Sequence, residues 1–116
     1  MQFTSSIKHN YEFRRIYSSG KSTASGLIAV YCRRGRKGQS QLGITVGTKV
    51  GKAVIRNKVR RRLREIYRLH EPTISRGFDI VVVARVKSRY ATYAQLEADF
   101  IRLMDKLGLR EEGARL

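Results

Sequence analysis

Between Lys49 and Arg68, nine cationic side chains fall within twenty residues, against a single acid, Glu65. Lys49, Lys52, Arg56, Lys58, Arg60, Arg61, Arg62, Arg64 and Arg68 offer ammonium and guanidinium groups. The chemistry open to such a set is phosphate binding, because a guanidinium fork takes two phosphate oxygens at once. Bond-breaking chemistry has no comparable set. Gly47, Gly51 and Lys52 imitate a phosphate-cradling loop, but one residue is missing between the glycines and Ala53 has no hydroxyl for a magnesium ion. His9 and His70 stand far apart in the chain and far from the one cysteine, Cys32, so zinc-ligand spacing is absent. None of the nine carboxylates forms a D-x-D or E-x-x-H pair that would hold two metals, and Glu97 and Asp99, two apart on a helix, point away from each other. The polypeptide is not expected to hydrolyse a phosphodiester alone.

The cationic residues need an element to present them. Ile55, Val59, Leu63, Ile66 and Leu69 recur at spacings of four, four, three and three, which predicts a helix over residues 53–70. At about 100° per residue these five fall within an arc of roughly 120° and form the face to be buried. Asn57, Arg60, Arg61, Arg64 and Arg68 fall on the opposite side. A solvated surface helix mixes signs, whereas Arg60–Arg64 and Arg64–Arg68 are like-charge i,i+4 pairs that cost stability. A polyanionic partner would relieve that repulsion, and nucleic acid is the expected one.

Composition sets the same direction. One hundred and sixteen residues, 41% of them hydrophobic, suit one domain with a real core rather than a disordered basic tail. Lys and Arg number 25 against 9 Asp and Glu, a formal net charge of +16 that attracts anions over long range. No apolar run reaches eighteen residues, so nothing is expected to span a bilayer. A membrane-surface helix is disfavoured too, since the apolar face of residues 53–70 lacks large aromatics and is needed for the core. The first ten residues lack the apolar stretch of a signal peptide, so the expectation is a cytoplasmic protein without a membrane partner. Cys32 lies in an apolar run and reads as a small core residue rather than a nucleophile.

Along the chain, residues 1–116 form a single domain with flexible ends expected at 1–8, an extended arm, and 108–116. Asn10 is a candidate cap for a helix over 11–19, with Gly20 as its stop and Ile7 meeting Phe13 across its start. Phe13, Ile16 and Tyr17 share one face of that helix. Residues 27–34 read as a strand on which Tyr31 faces opposite to Val30. A basic hairpin loop over 33–40 then leads to a second strand, 41–46, expected to pair antiparallel with the first. Residues 47–51 are a turn with room for a short extra strand. Residues 78–84 are almost uninterrupted apolar, as a central buried strand should be, and Pro72 stops the long helix before them. A last helix spans 90–107, with Leu96, Phe100, Leu103 and Leu107 inward and Thr92 as a cap. The class is α+β, one sheet with helices packed on it.

The run Ala53-Val54-Ile55-Arg56-Asn57-Lys58-Val59-Arg60-Arg61 resembles the signature A-V-x-R-N-R-x-K-R of the bacterial ribonuclease P protein subunit family. Three further segments resemble that family in order: Glu12 to Tyr17 with Gly20, Leu42 to Val46 with Lys49-Val50-Gly51, and Asp79 to Arg85. Together they cover residues 7–107. Two positions depart from the pattern. Lys58 replaces an arginine, keeping charge but losing the planar fork, and Arg62 stands where an apolar residue is expected, its charge drawn outward over an apolar stem.

The resemblance implies an αβββαβα fold with a mixed sheet and a left-handed βαβ crossover about the basic helix, where the general rule is right-handed. It also implies a function: the protein subunit of ribonuclease P, an endoribonuclease in which the RNA subunit is the catalyst and removes the 5′ leader of precursor tRNA. Mg2+ is then bound mainly by the RNA subunit and substrate, with no protein ligands. The partners implied are the catalytic RNA and precursor tRNA, and no protein partner is expected. Lys49, Lys52, Arg56, Asn57, Lys58, Arg60, Arg61, Arg64 and Arg68 are the expected RNA-binding residues. Asn57, uncharged in a cationic run, fits equally an RNA contact or a brace of the helix turn. Phe13, Tyr17 and Tyr31 would suit ordinary core, but by resemblance they line a cleft for the single-stranded leader, with Arg85 the best of the basic residues flanking it. Arg33 and Arg34 read as generic RNA-attracting charge. The rival reading is a small ribosomal or general RNA-binding protein, which shares the charge but not the four ordered segments.

Overall fold

The computed structural model describes residues 1–111. Its elements are strand β1 (Thr4–Ser6), helix α1 (Asn10–Ser19), strands β2 (Lys21–Ala24), β3 (Ile28–Arg34) and β4 (Ser40–Val46), helix α2 (Ala53–His70), strand β5 (Phe78–Ala84) and helix α3 (Tyr93–Lys106). The five strands form one sheet in the order β1-β4-β5-β3-β2. β1, β4 and β5 run parallel, and β3 pairs antiparallel with both β5 and β2.

β5 is the centre. Its apolar residues have two faces to bury, so it inserts between β3 and β4. That insertion overturns the expected antiparallel pairing of residues 41–46 with 27–34. Residues between β3 and β4 are therefore not a hairpin loop: they pass over the start of β5, where the Gly35 amide donates to the Gly77 carbonyl at 2.8 Å. The short extra strand lies at Lys21–Ala24, and Thr48–Val50 forms a single 3-10 turn instead.

α2 and α3 cover one face of the sheet. Val59, Leu63 and Ile66 of α2 and Leu96, Phe100 and Leu103 of α3 pack there against Val30, Ile80 and Val82. α1 covers the other face, with Ile16 over Val81 and Ile7 beside it. Phe13 packs against the same small cluster, so the expected contact across the helix start is present. His9, not Asn10, occupies the cap position of α1, and it makes no side-chain capping bond. Thr92 caps α3 as expected, with a reciprocal bond from its own amide to Gln95. Cys32 is a buried free thiol, pushed up by that burial.

Two residues of α2 trade places relative to the sequence pattern. Leu69 is 50% exposed, while Tyr67 is fully buried. Tyr67 turns inward because its hydroxyl has a partner there, Thr4 Oγ1 at 2.9 Å. Arg62 does not simply extend into water: its guanidinium donates to the Ala91 carbonyl at 3.1 Å.

The expected arm at residues 1–8 is extended, yet it is paired rather than loose. β1 adds an edge strand to β4, and Glu71, 2% exposed, accepts from the amides of Gln2 at 2.6 Å and Phe3 at 3.3 Å. Of the expected frayed end, residues 108–111 are packed: Leu109 is buried and the Glu111 amide donates to the Thr73 carbonyl. Residues 112–116 lie outside the described residues.

Burial pushes the Glu71 carboxyl up, but bonds from the Thr4 hydroxyl and the two amides outweigh it and hold the group below its usual range. A depressed folded value means that the stability Glu71 contributes is full above the ordinary glutamate range and is lost as pH falls through the folded value. Glu71→Gln is expected to cost about 1–3 kcal/mol near neutrality and to flatten the loss of stability as pH falls below the ordinary glutamate range. Urea unfolding of both proteins at neutral pH and at pH below the ordinary glutamate range checks this; a difference that does not shrink there would refute it.

Candidate RNA-binding surfaces

The outer face of α2 stands clear of the core. Lys49, Lys52, Asn57, Lys58, Arg61, Arg64 and Arg68 are exposed, and Arg56 and Arg60 are half-buried. They do not all remain available. Arg68 is paired with Glu65 through two bonds, at 2.5 and 3.0 Å. That pair lowers the Glu65 carboxyl chiefly through the hydrogen bond from Arg68. Arg60 donates to the Asn57 amide oxygen at 2.9 Å, so Asn57 braces one turn of the helix. Among the described residues, the remaining cations of this face have no carboxylate within ion-pair distance. The start of the helix is bare as well: Lys52 sits at the cap without a capping bond, and no acid lies in the first turn. Peptide dipoles and lysines thus place positive charge together, an arrangement that an anion would stabilise.

The aromatic residues form a second surface on the opposite face of the sheet. Phe13 and Tyr17 lie one turn apart with ring centres 6.4 Å apart, and Tyr31 meets the Tyr17 ring edge-on at 4.8 Å. Phe13 and Tyr31 are half-buried and Tyr17 is 39% exposed. An open hollow of about 470 Å³ runs along this flank of α1, lined by Asn10, Phe13, Arg14, Tyr17 and Thr45. Tyr31 stands behind Tyr17 rather than on the rim. Arg85 follows Val81 and Val83 on the α1 face of β5 by strand alternation, but its guanidinium donates to the Ser25 carbonyl at 2.9 Å, so the structure ties it to the β2 side.

Two cleft residues escape a reading of the sequence. Thr45 faces the Tyr17 hydroxyl at 3.5 Å, and its small polar side chain on a strand carries no distinctive signal. Gly43 lies under Phe13: a Cβ there would stand 2.5 Å from the ring. The missing side chain lets the ring lie on the sheet, which only the tertiary packing reveals. Among the described residues, no three His, Cys, Asp or Glu side chains gather where they could hold a metal ion. No helix among the described residues is long and apolar enough to cross a membrane.

The result is a three-layer α+β domain with an exposed cationic helix on one side and an aromatic hollow on the other. The Ribonuclease P family model matches residues 1–108. A Ribonuclease P protein component from Natranaerobius thermophilus is 37% identical over 91% of this chain and 92% of its own length. One from Clostridium botulinum is 40% identical over 89% of this chain and 94% of its own. Among solved structures, the RNase P protein of Staphylococcus aureus superposes with a TM-score of 0.82 at 33% identity, covering 91% of this chain and 97% of that one. The Thermotoga maritima protein gives 0.80 at 32% identity, over 88% and 96%. The chain belongs to the ribonuclease P protein family, the protein subunits of a tRNA-processing endoribonuclease.

The Gly43–Phe13 contact gives a test of the cleft's construction. Gly43→Ala forces the ring off the sheet and is expected to cost about 1–3 kcal/mol by overpacking. In a double-mutant cycle with Phe13→Ala most of that cost should vanish. Additive losses in urea unfolding would show that the ring does not need the gap.

Proposed function

We propose that this chain is the basic subunit that helps a catalytic RNA remove the 5′ leader of precursor tRNA. The observation that carries the reading is the placement of the two surfaces. β4 delivers Thr45 to the aromatic hollow, and seven residues later Lys52 opens the cationic helix. The end of β4 therefore leads from stacking faces for an unpaired strand on one face of the sheet to a bare helix start, with guanidinium groups for phosphates, on the other.

Each part has a physical task. Arg56, Lys58, Arg61 and Arg64, with Lys49 and Lys52 at the helix start, lower the repulsion between two polyanions that must meet. Phe13 and Tyr17 stack bases of the leader at about 1–3 kcal/mol per base, with little sequence preference, which suits leaders of varied sequence. Asn57 holds Arg60 at its angle, and Arg85, held on the β2 side by Ser25, adds positive charge to the same sheet. The reacting bond is handled elsewhere: Mg2+ chemistry is assigned to the catalytic RNA and substrate, and no step passes through a protein ligand. A general RNA-binding or ribosomal role is the weaker reading, since the family match spans nearly all of the chain.

Reconstitution tests the division of labour. The chain alone should leave precursor tRNA intact, and at low magnesium it should restore 5′ cleavage by its cognate RNA. Cleavage by the protein alone would overturn it. Tyr17→Ala should weaken binding of leader-bearing precursor about tenfold with mature tRNA little changed; equal losses on both would remove the leader from the cleft. Arg64→Gln should reduce the slope of log affinity against log salt by about 1. The same substitution removes two like-charge pairs and should raise stability by about 0.2–0.5 kcal/mol for each. A variant no more stable than the parent would show that the repulsion is not stored in this helix.

A further inference from the structure

A second hollow, of about 500 Å³, opens on the other flank of α1. Phe13, Arg14 and Tyr17 project from one side of that helix, whereas Tyr11, Glu12 and Arg15 project from the other into this space. Its floor is the opposite end of the sheet from Thr45. Gln41 at the start of β4, Asp79 at the start of β5 and Arg33 near the end of β3 lie side by side in register.

The floor presents acceptors. In the amide orientation that satisfies its neighbours, Gln41 donates to Asp79 Oδ1 at 3.3 Å and to Glu12 Oε2 at 3.2 Å, holding two carboxylates together. Among the described residues neither carboxylate has a guanidinium within ion-pair distance. Burial and then the charge of Glu12 push the Asp79 carboxyl up, while Arg33 and Arg15 draw it back. Gly35 keeps the carboxylate uncovered, since a Cβ there would stand 2.6 Å from Asp79 Oδ1. The rim is cationic: the Arg34 guanidinium lies over the Phe78 ring at 5.1 Å, and Arg33 and Arg36 border the same opening. Tyr11, 53% exposed and stacked on His9 at 5.3 Å, forms one wall.

Acceptors below and cations above do not suit a bare phosphate, which the carboxylates would repel. They suit a nucleotide. The geometry points to a second site for single-stranded RNA in this hollow, where a phosphate rests on Arg33, Arg34 and Arg36 and a donor-bearing base edge meets Glu12 and Asp79. Guanine is the best match, because its N1–H and N2 amino group present two donors side by side to a carboxylate. Uracil presents one N–H between two carbonyl oxygens and is disfavoured. The site rests on the RNA-binding reading of the protein but not on the aromatic cleft, from which α1 separates it. The strand that fills it comes either from the leader or from the catalytic RNA.

The test uses the full-length chain, a short fluorescent uridine oligonucleotide, and the same oligonucleotide carrying one guanosine. The protein is expected to bind the guanosine-bearing strand about tenfold tighter. Asp79→Asn and Glu12→Gln should each bring the two affinities close together, whereas Tyr17→Ala, on the other flank of α1, should leave binding of the guanosine-bearing strand little changed. Should Asp79→Asn fail to fold, Glu12→Gln and Gly35→Ala, which crowds the carboxylate from the loop, carry the same readout. Binding of both strands without discrimination, or a preference that survives these variants, overturns the site alone. Binding of neither overturns the RNA reading itself. Precursors with leaders of increasing length, and the catalytic RNA without substrate, then separate the sources. A loss in Asp79→Asn seen only with long leaders assigns the leader, and a loss with the catalytic RNA alone assigns that RNA. A loss with neither overturns the site.

Discussion

Everything in this fold depends on a strand that is buried on both sides. β5 alternates Ile80 and Val82 toward α2 and α3 with Val81 toward α1, so one run of seven residues fixes both helical layers. Because it sits between β3 and β4, its neighbours cannot pair with each other, and the chain must cross from β4 through α2 to reach it. That crossover carries the cationic helix. The position of the basic face is therefore a consequence of where the apolar strand must go, and not of any attraction between the helix and its own protein.

Magnitudes explain how the helix tolerates its charge. Each like-charge i,i+4 pair costs about 0.2–0.5 kcal/mol, and salt screens exposed pairs further. Burying each of Val59, Leu63, Ile66 and Tyr67 contributes roughly 1.5–3 kcal/mol as an upper estimate. Packing thus outweighs the local repulsion by several-fold, and the helix persists without a capping bond or an acid in its first turn. Internal pairs soften the rest, Arg68 with Glu65 and Arg60 with Asn57. Arg61 and Arg64 have no such relief within the described residues, which marks where an external anion has most to offer.

The legible parts of the sequence were those governed by local periodicity. The bounds of α2, the centrality of residues 78–84, the Thr92 cap and the opposite facing of Val30 and Tyr31 all follow from spacing and residue type. What stayed hidden was set by contacts distant in sequence. The pairing partners of residues 41–46 depended on where β5 inserted, and the four residues Lys21–Ala24 were too polar to announce a strand. Tyr67 displaced Leu69 from the interior because Thr4, sixty-three residues away, holds its hydroxyl. The candidate RNA-binding residues were legible as charges and rings. Which of them were already engaged, as Arg68 and Arg85 are, was not.

Under the proposed function the chain contributes position rather than reactivity, and the sheet is what fixes position. Phosphate attraction alone is long-ranged and tolerant of orientation, so a loose basic tail would gather RNA without placing it. Here the aromatic hollow, the bare start of α2 and the Glu12–Asp79 hollow are mounted on the same strands, with Thr45 at one end of β4 and Gln41 at the other. Four residue steps along the strand separate those two, about 13 Å. Aromatic rings, guanidinium groups and a carboxylate floor are thereby held at fixed separations by one core. On the proposed reading, a rigid ruler of that length would convert a general attraction for polyanions into a defined path for a strand.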